Sequence, residues 1–178
     1  PGQWRWAGTR TLMFEPTAAR LPMATRFSVS LDPATRAADG SSPAAALRWE
    51  FATPPLRLLQ SHPAGRGVSR EPLIVLGFDQ RVDARALLPH LQLKAAGKPL
   101  SGLRLASPKE IEAAGGLPPQ LRTKDSERTV VLKRDGRLPA DGAIEVVRGA
   151  GAPSAEGPRT STAEQRFGFH TYGPFKVL

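Results

Sequence analysis

The sequence repeats one pattern of short apolar segments and turns after about 117 residues. Residues Leu12–Phe51 and residues Val130–Phe169 follow the same plan of an apolar segment, a Leu-Pro turn, an alternating segment and a closing Phe-x-Thr. The corresponding positions are Leu21-Pro22 with Leu138-Pro139, and Phe51-x-Thr53 with Phe169-x-Thr171. Because order, spacing and turn residues are all kept, we interpret the pattern as two copies of one duplicated module.

Alternating apolar residues indicate that the module is built from strands. In Arg26–Leu31 and in Leu47–Phe51, every second residue is apolar, which is typical of half-buried antiparallel strands. The 17 Gly and 18 Pro among 178 residues favour many turns and disfavour long helices. The predicted fold class is all-β, with tandem Ig-like antiparallel β-sandwich domains and one short helix inserted in the second domain.

Two segments of the second half carry the clearest local signals. Leu73–Phe78 is the most apolar run of the chain and is predicted to be the central strand of the second module. Ser107-Pro108-Lys109-Glu110 combines an N-cap serine, a proline at the first helical position and a glutamate that completes a capping box. Gly115-Gly116 should end this helix after about two turns.

The Pro- and Gly-rich stretch from Pro54 to Arg70 is the predicted connection between the modules. We predict that residues 1–59 form the C-terminal part of a first Ig-like domain whose first strands are missing, and that residues 60–178 form a second Ig-like β-sandwich domain. Residues Pro1–Pro54 should therefore have an open edge or an exposed core, and should be less stable than Pro72–Leu178 or pair with a neighbouring copy. A chain that opens with Pro1 rather than Met is expected to be a fragment or a processed product.

The charge of the chain favours a soluble basic surface over a nucleic-acid interface. The 25 Lys and Arg against 16 Asp and Glu give a net charge of +9, but the basic residues are scattered singly rather than in one stripe. We predict no nucleic-acid partner, and leave open an attraction to anionic polymers such as polysaccharide. The chain has no Cys, which excludes disulfides, thiolate metal sites and a Cys nucleophile within it.

Few residues suit catalysis or metal binding. His62, His90 and His170 are far apart, and none has a second ligand at metal-binding spacing. Asp79 and Asp83 could form an acid pair, but carboxylates at a strand end more often bond the backbone or a neighbouring Arg. We therefore predict no catalytic, cofactor-binding or metal-binding residues, no cofactor, and no enzymatic activity.

The three tryptophans allow two interpretations. Trp4, Trp6 and Trp49 would suit an aromatic platform for a sugar or a peptide. Core packing is the prediction, because Trp49 shares a strand face with Phe51.

Several of these segments together resemble a known family, the bacterial alpha-2-macroglobulins, in their N-terminal region. In that family a row of Ig-like and macroglobulin domains precedes a bait region and a thioester domain. The most specific part is the loop Pro153-Ser154-Ala155-Glu156-Gly157-Pro158 beside the Phe-x-Thr-Tyr-Gly-Pro-Phe ending. The segments that carry the resemblance are Gly2-x-Trp4-x-Trp6, Leu12-x-Phe14-x-Pro16, Leu21-Pro22, Gly149–Pro158 and Phe167–Phe175.

The resemblance implies a structural part in a protease inhibitor. Such inhibitors are cleaved by a protease in the bait and then collapse around it, and they lie in the periplasm or cell envelope, where an inner-membrane lipid anchor outside this segment is possible. The implied partners are other domains of the same chain, target proteases through the full-length protein, and, as a further candidate, a penicillin-binding protein. The chain departs from the family pattern in having no thioester Cys, so no trapping residue can be transferred.

Two alternatives remain beside this interpretation. One is an Ig-like binding or adhesion module of a secreted bacterial surface protein that recognises polysaccharide or protein, and a groove of exposed aromatic residues would favour it. The other is an accessory domain of an enzyme.

Overall fold

The structure is a computed structural model that describes residues 1–8, 11–37, 39–117 and 126–174. Phe175, which belongs to the resemblance, lies outside the described residues. The strands are β1 (Gly2–Trp6), β2 (Leu12–Pro16), β3 (Arg26–Leu31), β4 (Leu47–Ala52), β5 (Leu58–His62), β6 (Gly65–Val68), β7 (Ile74–Phe78), β8 (Leu91–Ala95), β9 (Lys98–Leu100), β10 (Leu103–Leu105), β11 (Thr129–Arg134), β12 (Ala143–Arg148) and β13 (Gln165–Thr171). The helices are α1 (Ala84–Leu87) and α2 (Pro108–Ala113), with 3-10 turns at Leu88–His90 and Ser126–Arg128.

The predicted all-β, Ig-like sandwich is confirmed. One sheet has the order β10-β11-β7-β5, and the second has the order β6-β13-β12-β8-β9. Neighbouring strands are antiparallel except for β6, which pairs parallel with β13. Side chains from both sheets form the core between them, among them Leu58, Leu76, Leu93, Leu132 and Ile144.

β7 is the central strand that the apolar run Leu73–Phe78 predicted. It pairs antiparallel with β11 on one side and with β5 on the other. All five of its residues are buried: Ile74, Leu76 and Phe78 belong to the core between the sheets, and Val75, on the opposite face, is buried as well. A run without polar alternation is what a strand buried on both faces requires.

The predicted helix start is also confirmed. Ser107 caps α2, its hydroxyl accepts from the Glu110 N–H, and the Glu110 carboxylate accepts from the Ser107 N–H at 2.9 Å. The Arg104 guanidinium donates to both oxygens of Glu110, at 2.7 and 2.9 Å, and to Asp135 at 2.8 Å. These bonds from Arg104, joined by those from Ser107, hold the pKa of Glu110 far below its usual value. α2 is six residues long, and none of the described helices has the length or the apolar character to cross a membrane.

Residues 1–54 form two antiparallel hairpins, β1–β2 and β3–β4, each a sheet of two strands. In the first hairpin Trp4 lies opposite Phe14, and Trp6 lies opposite Leu12. In the second, the residue pairs on one face are Phe27 with Phe51, Val29 with Trp49, and Leu31 with Leu47. Each hairpin therefore has one apolar face, as the alternation predicted.

The duplication extends to individual hydrogen bonds. The Thr53 hydroxyl donates to the Pro22 carbonyl at 2.8 Å and accepts from the Thr25 N–H at 3.0 Å. At the equivalent positions, the Thr171 hydroxyl donates to the Pro139 carbonyl at 2.7 Å and accepts from the Gly142 N–H at 3.0 Å. We call this arrangement the threonine clasp.

Backbone conformation repeats at the same place. Ala24 has φ 51° and Asp141, 117 positions later, has φ 49°. Each residue donates its N–H to the carbonyl of the residue directly after the clasp threonine: Ala24 to Pro54, and Asp141 to Tyr172. A non-glycine residue with positive φ is uncommon, so its occurrence at both equivalent positions supports the duplication that the sequence predicted.

The connection between the modules contributes to the second sandwich. The Leu56 and Leu58 side chains are buried in its core, and β5 supplies an edge strand. The boundary predicted between residues 59 and 60 lies within β5. The division into two domains stays a prediction.

A buried polar cluster joins the two sheets. The Gln165 amide accepts from the Leu58 N–H at 2.9 Å and donates to the Leu58 carbonyl at 3.0 Å, so it links β13 to β5. The buried Arg148 guanidinium donates to Gln165 at 2.6 Å and to the carbonyls of Gly149 and Ala163, both at 2.9 Å. Burial lowers the pKa of Arg148. These bonds satisfy polar groups that would otherwise be costly inside the sandwich; the buried Arg148 Nε has no hydrogen-bond partner among the described residues.

The threonine clasp makes a stability prediction. Thr171→Val keeps the shape of the side chain but leaves the Pro139 carbonyl and the Gly142 N–H without their partner, which should lower the free energy of unfolding by about 1–3 kcal/mol. Urea denaturation measures the change. Thr162→Val, the same substitution at an exposed position, should change it by less than about 0.5 kcal/mol. Equal effects of the two substitutions would contradict the clasp.

Candidate functional site

The two N-terminal hairpins turn their apolar faces toward one groove. Its walls are Trp4 and Phe14 from the first hairpin and Phe27, Trp49 and Phe51 from the second, around a cavity of about 490 Å³. An adjoining cavity of about 380 Å³ is lined by Trp6, Leu12, Leu31 and Leu47 among others. We call these two cavities together the apolar groove.

The prediction that the tryptophans pack in a core is wrong. Trp4, Trp6 and Trp49 are 54%, 48% and 51% exposed. The physical reason is that each hairpin offers only two strands, which are too few to cover the apolar face opposite. In the second module the counterparts of β3 and β4, namely β12 and β13, are flanked by β8 and β6. Among the described residues, β3 and β4 pair only with each other.

The aromatic side chains of the groove are organised within each hairpin. The rings of Trp4 and Phe14 are tilted at 58° with centroids 5.0 Å apart. The rings of Phe27 and Phe51 are stacked at 18° with centroids 5.2 Å apart. These cross-strand pairs hold each wall in place, so the groove is a preformed surface.

The groove continues into a junction between the two modules. A third cavity, of about 620 Å³, shares Phe14, Leu21 and Phe27 with the groove and reaches Arg20 and Glu156. Glu156 belongs to the loop Pro153–Pro158 of the second module. The junction is thus the place where this loop meets the first module.

Close backbone contact fixes the loop. A methyl group added at Gly157 would overlap the Met23 carbonyl and the Thr25 hydroxyl and would lie 2.6 Å from the Ala24 carbonyl. The N–H of Arg159 donates to the Ala24 carbonyl at 2.8 Å. Only glycine fits at position 157 with the loop in this position.

Glu156 is the charged group of the junction, and its side chain is only 6% exposed. It accepts from Arg20 Nη2 at 2.8 Å, from the Arg81 N–H at 2.8 Å and from the Met23 N–H at 3.3 Å. Burial alone would raise the pKa of Glu156, but these hydrogen bonds and the Arg20 charge outweigh burial and hold the pKa below its usual value. The carboxylate therefore joins three segments that are distant in sequence.

A second polar group supports the same loop. Gln80 is fully buried, and its carbonyl oxygen accepts from the Ser154 hydroxyl at 2.7 Å. Ser154 in turn accepts from the Glu156 N–H at 3.0 Å. The Arg159 guanidinium donates to the Thr53 carbonyl, at the end of the first module. The loop is therefore hydrogen-bonded both to the first module and to the segment that follows β7.

The titratable residues considered from sequence lie apart. Asp79 accepts from the Arg57 N–H at 3.0 Å, and Asp83 caps α1 by accepting from the Arg85 N–H at 2.8 Å. Both carboxylates therefore accept hydrogen bonds from the backbone, as expected for carboxylates at a strand end rather than for an acid pair. His170 lies beside the buried Phe169 and contacts Asp141 at 3.1 Å. Within the described ranges, no three His, Asp or Glu side chains are grouped so that they could hold a metal ion.

Sequence reasoning missed the residues of the junction. Local sequence patterns place Glu156 and Gly157 in a loop and give no functional signal for Gln80. A Ser-x-Glu-Gly segment in a loop carries no periodic signal, and its partners lie more than 70 positions away. Two signals in the sequence point to this loop: the dense Pro and Gly content of Pro153–Pro158, and the family resemblance, of which the loop is the most specific part.

No protein-family model matches the chain, and no curated protein matches it. Among solved structures, the chain is similar to an LD-transpeptidase determined in complex with imipenem, with a TM-score of 0.36 and 14% sequence identity over 65% of this chain. The chain spans 39% of the length of that protein. A similarity of this size carries no inference about function.

Replacing Gly157 tests the docked loop. Gly157→Ala places a methyl group against backbone that cannot move aside cheaply, so we expect a loss of about 1–3 kcal/mol of stability. We also expect faster hydrogen exchange at residues 22–25, measured by mass spectrometry. Gly149→Ala is the matched control, because the nearest atom to its added methyl, the His90 carbonyl oxygen, is 3.6 Å away. Unchanged exchange at residues 22–25 in Gly157→Ala would argue against the junction.

The ionised state of Glu156 makes the junction sensitive to acid. A carboxyl whose pKa is lower in the folded state contributes stability above its unfolded value, about 4.5, and loses that contribution as the pH falls through the folded value. Glu156→Gln should therefore show a weaker loss of stability than the unmodified chain as the pH falls below about 5. Denaturant unfolding at several pH values measures this. The exposed control Glu112→Gln should keep the original dependence, and parallel curves for Glu156→Gln and the unmodified chain would refute the expectation.

Proposed function

We propose that the chain is a non-enzymatic structural part of a bacterial alpha-2-macroglobulin-like protease inhibitor, in which tandem Ig-like domains hold the shape of a larger molecule that traps proteases. The observation that carries the proposal is the junction. The loop Pro153–Pro158 is held against the first module by backbone contact at Gly157 and by the buried carboxylate of Glu156. A fixed angle between successive domains is what a shape-holding arm needs.

The resemblance and the junction involve the same residues. The Pro-Ser-Ala-Glu-Gly-Pro loop is the most specific part of the resemblance, and its Glu and Gly make the contacts described above. Trapping itself would depend on parts of the inhibitor other than this chain, which contains no Cys for a thioester. The proposed partners are accordingly other domains of the inhibitor and, through the whole molecule, its target proteases.

The proposed location is the periplasm or cell envelope. Inhibitors of this kind are thought to protect the envelope beside penicillin-binding proteins, and a penicillin-binding protein is a proposed partner on that ground. Membrane attachment would come from a lipid anchor outside this segment.

A second function has one observation in its favour. The apolar groove exposes Trp4, Trp49, Phe51 and Phe14 on one surface, which is the feature expected of an Ig-like binding or adhesion module that recognises polysaccharide or protein. Aromatic faces can stack on sugars, and the net charge of +9 would attract an anionic polymer. Titration with heparin, with neutral dextran as control, distinguishes this function, since specific stacking would change tryptophan fluorescence even at high salt.

Trapping can be recognised by its substrate dependence. When the whole polypeptide that carries this chain is mixed with a protease, we expect hydrolysis of a large protein substrate to fall while hydrolysis of a small peptide substrate continues, because the trap excludes only large molecules. Gly157→Trp in that polypeptide should reduce the trapped fraction several-fold, and Gly149→Ala should not. Equal inhibition of large and small substrates, or none at all, would contradict the proposed function.

A further inference from the structure

We propose that the turn Pro139–Gly142 of the second module is a docking surface for the Glu-Gly-x-Arg loop of a further Ig-like module that follows in the same polypeptide. We call Pro22–Thr25 the first clasp turn and Pro139–Gly142 the second clasp turn. The inference takes its geometry from a contact that the structure contains, that of the loop Pro153–Pro158 and the adjoining Arg159 with the first clasp turn. For the presence of further domains it rests on the proposed function.

The loop binds the first clasp turn through backbone groups of the turn. The Met23 N–H donates to the Glu156 carboxylate at 3.3 Å, and the Ala24 carbonyl accepts from the Arg159 N–H at 2.8 Å. Gly157 lies so close to the Met23 and Ala24 carbonyls that no methyl group would fit. Because the turn contributes backbone groups to these contacts, binding depends on its conformation more than on its side chains.

The second clasp turn has the same conformation. Asp141 takes the place of Ala24, with φ 49° against 51°, and the N–H of each donates to the carbonyl that follows the clasp threonine. The main-chain bond from the clasp threonine to the last residue of the turn is also repeated, at 2.9 Å from the Thr53 N–H and at 3.0 Å from the Thr171 N–H. The two turns therefore present their backbone groups in the same way.

The backbone groups that bind the loop in the first turn are exposed in the second. Their counterparts are the Ala140 N–H and the Asp141 carbonyl. Ala24 is fully buried beneath the loop, whereas Ala140 and Asp141 are both exposed. No described residue hydrogen-bonds to the Ala140 N–H or to the Asp141 carbonyl. A loop of the same kind can therefore make the same two backbone bonds here.

The side chains of the second turn leave room for such a loop. Gly142 stands where Thr25 stands, so the hydroxyl that lies nearest to Gly157 at the junction has no counterpart in the second turn. Asp141 is larger than Ala24, but its side chain is 74% exposed. Neither difference closes the surface.

The charge of the second turn favours a loop that carries an arginine. At the junction, Arg159 donates its N–H to the first clasp turn and its guanidinium to the Thr53 carbonyl. An arginine held in the same position on the second turn lies next to the Asp141 carboxylate, with which it can form a charge-assisted hydrogen bond. The expected partner is therefore a loop of the type Glu-Gly-x-Arg, in which the arginine follows the glycine by two positions.

The same arginine distinguishes a following module from a second copy of the chain. In a second copy, the loop Pro153–Pro158 already lies on that copy's own first clasp turn. The counterpart loop in the first module has Asp39-Gly40 in place of Glu156-Gly157. It carries Ser42 where Arg159 stands. The loop that a second copy could offer thus lacks the arginine, and a following module is the occupant that fits.

An extended chain tests docking. Residues 1–172 are followed directly by a second set of residues 55–178, so that Tyr172 precedes Pro55 as Pro54 does in the chain. Arg137→Lys in the added module gives its peptides a different mass from those of the original module. We expect hydrogen exchange of the Ala140 amide in the original module to be at least roughly tenfold slower in the extended chain than in the unextended chain, measured by mass spectrometry over residues 139–142.

Substitutions in the extended chain identify the contact. Gly157→Trp in the added module should return the exchange at residues 139–142 to that of the unextended chain, whereas Gly149→Ala there should not. Asp141→Lys in the original module should also speed exchange several-fold, because it places a like charge against the arginine of the loop. Denaturant unfolding verifies that the modules are folded. If the added module does not fold when joined directly, about ten Gly and Ser residues placed after Leu178 join it instead, and the same comparisons apply.

The outcomes separate this proposal from its rivals. Exchange at residues 139–142 that stays fast beside a folded added module, or protection that survives Gly157→Trp, would overturn it. Concentration-dependent association of the unextended chain that Asp141→Lys abolishes would assign the surface to a second copy and would overturn it as well. None of these measurements involves a protease, so a failure of docking is distinguishable from a failure of the proposed function.

Discussion

A β-sandwich is stabilised by the apolar area that its two sheets remove from water, and each sheet must be wide enough to cover the other. The two halves of this chain meet that requirement differently. In the second module, sheets of four and five strands enclose Leu76, Leu93 and Ile144 completely. In the first, two hairpins with the same alternating pattern leave Trp4 and Trp49 half exposed. The side chains are suited to a core in both modules, and the number of strands decides whether they form one.

The same requirement explains the importance of the junction. A half-covered module gains little stability from its own core, so contacts with the second module contribute a larger share. The Pro153–Pro158 loop supplies them through main-chain hydrogen bonds, a buried carboxylate and the close approach at Gly157. The junction depends on shape and hydrogen bonding more than on apolar area, which gives it a defined geometry.

Much of the fold could be predicted from the sequence because its signals are local or periodic. The capping box at Ser107 is contained in four residues, and the continuous apolar run of β7 identifies a strand buried on both faces. The repeat was predictable because a Leu-Pro turn and a Phe-x-Thr ending are constrained by the threonine clasp, whose hydroxyl bonds two backbone groups at once.

The candidate site was less predictable. Alternation shows that Trp49 and Phe51 share a face, but it does not show whether another sheet lies against that face, so core packing was expected where a groove is found. The partners of Glu156 come from Arg20, Met23 and Arg81, and such long-range hydrogen bonds leave no mark on local composition.

The bonds between Gln165 and Leu58 also bear on how the second module would respond to tension. A pull along the chain enters this module at β5 and leaves it at β13, and Gln165 ties these two strands together with a donor and an acceptor. The parallel pairing of β13 with β6 resists the same displacement by shear. The load would therefore fall first on the hydrogen bonds between Gln165 and Leu58, which must break together. These bonds would set the force at which the module unfolds.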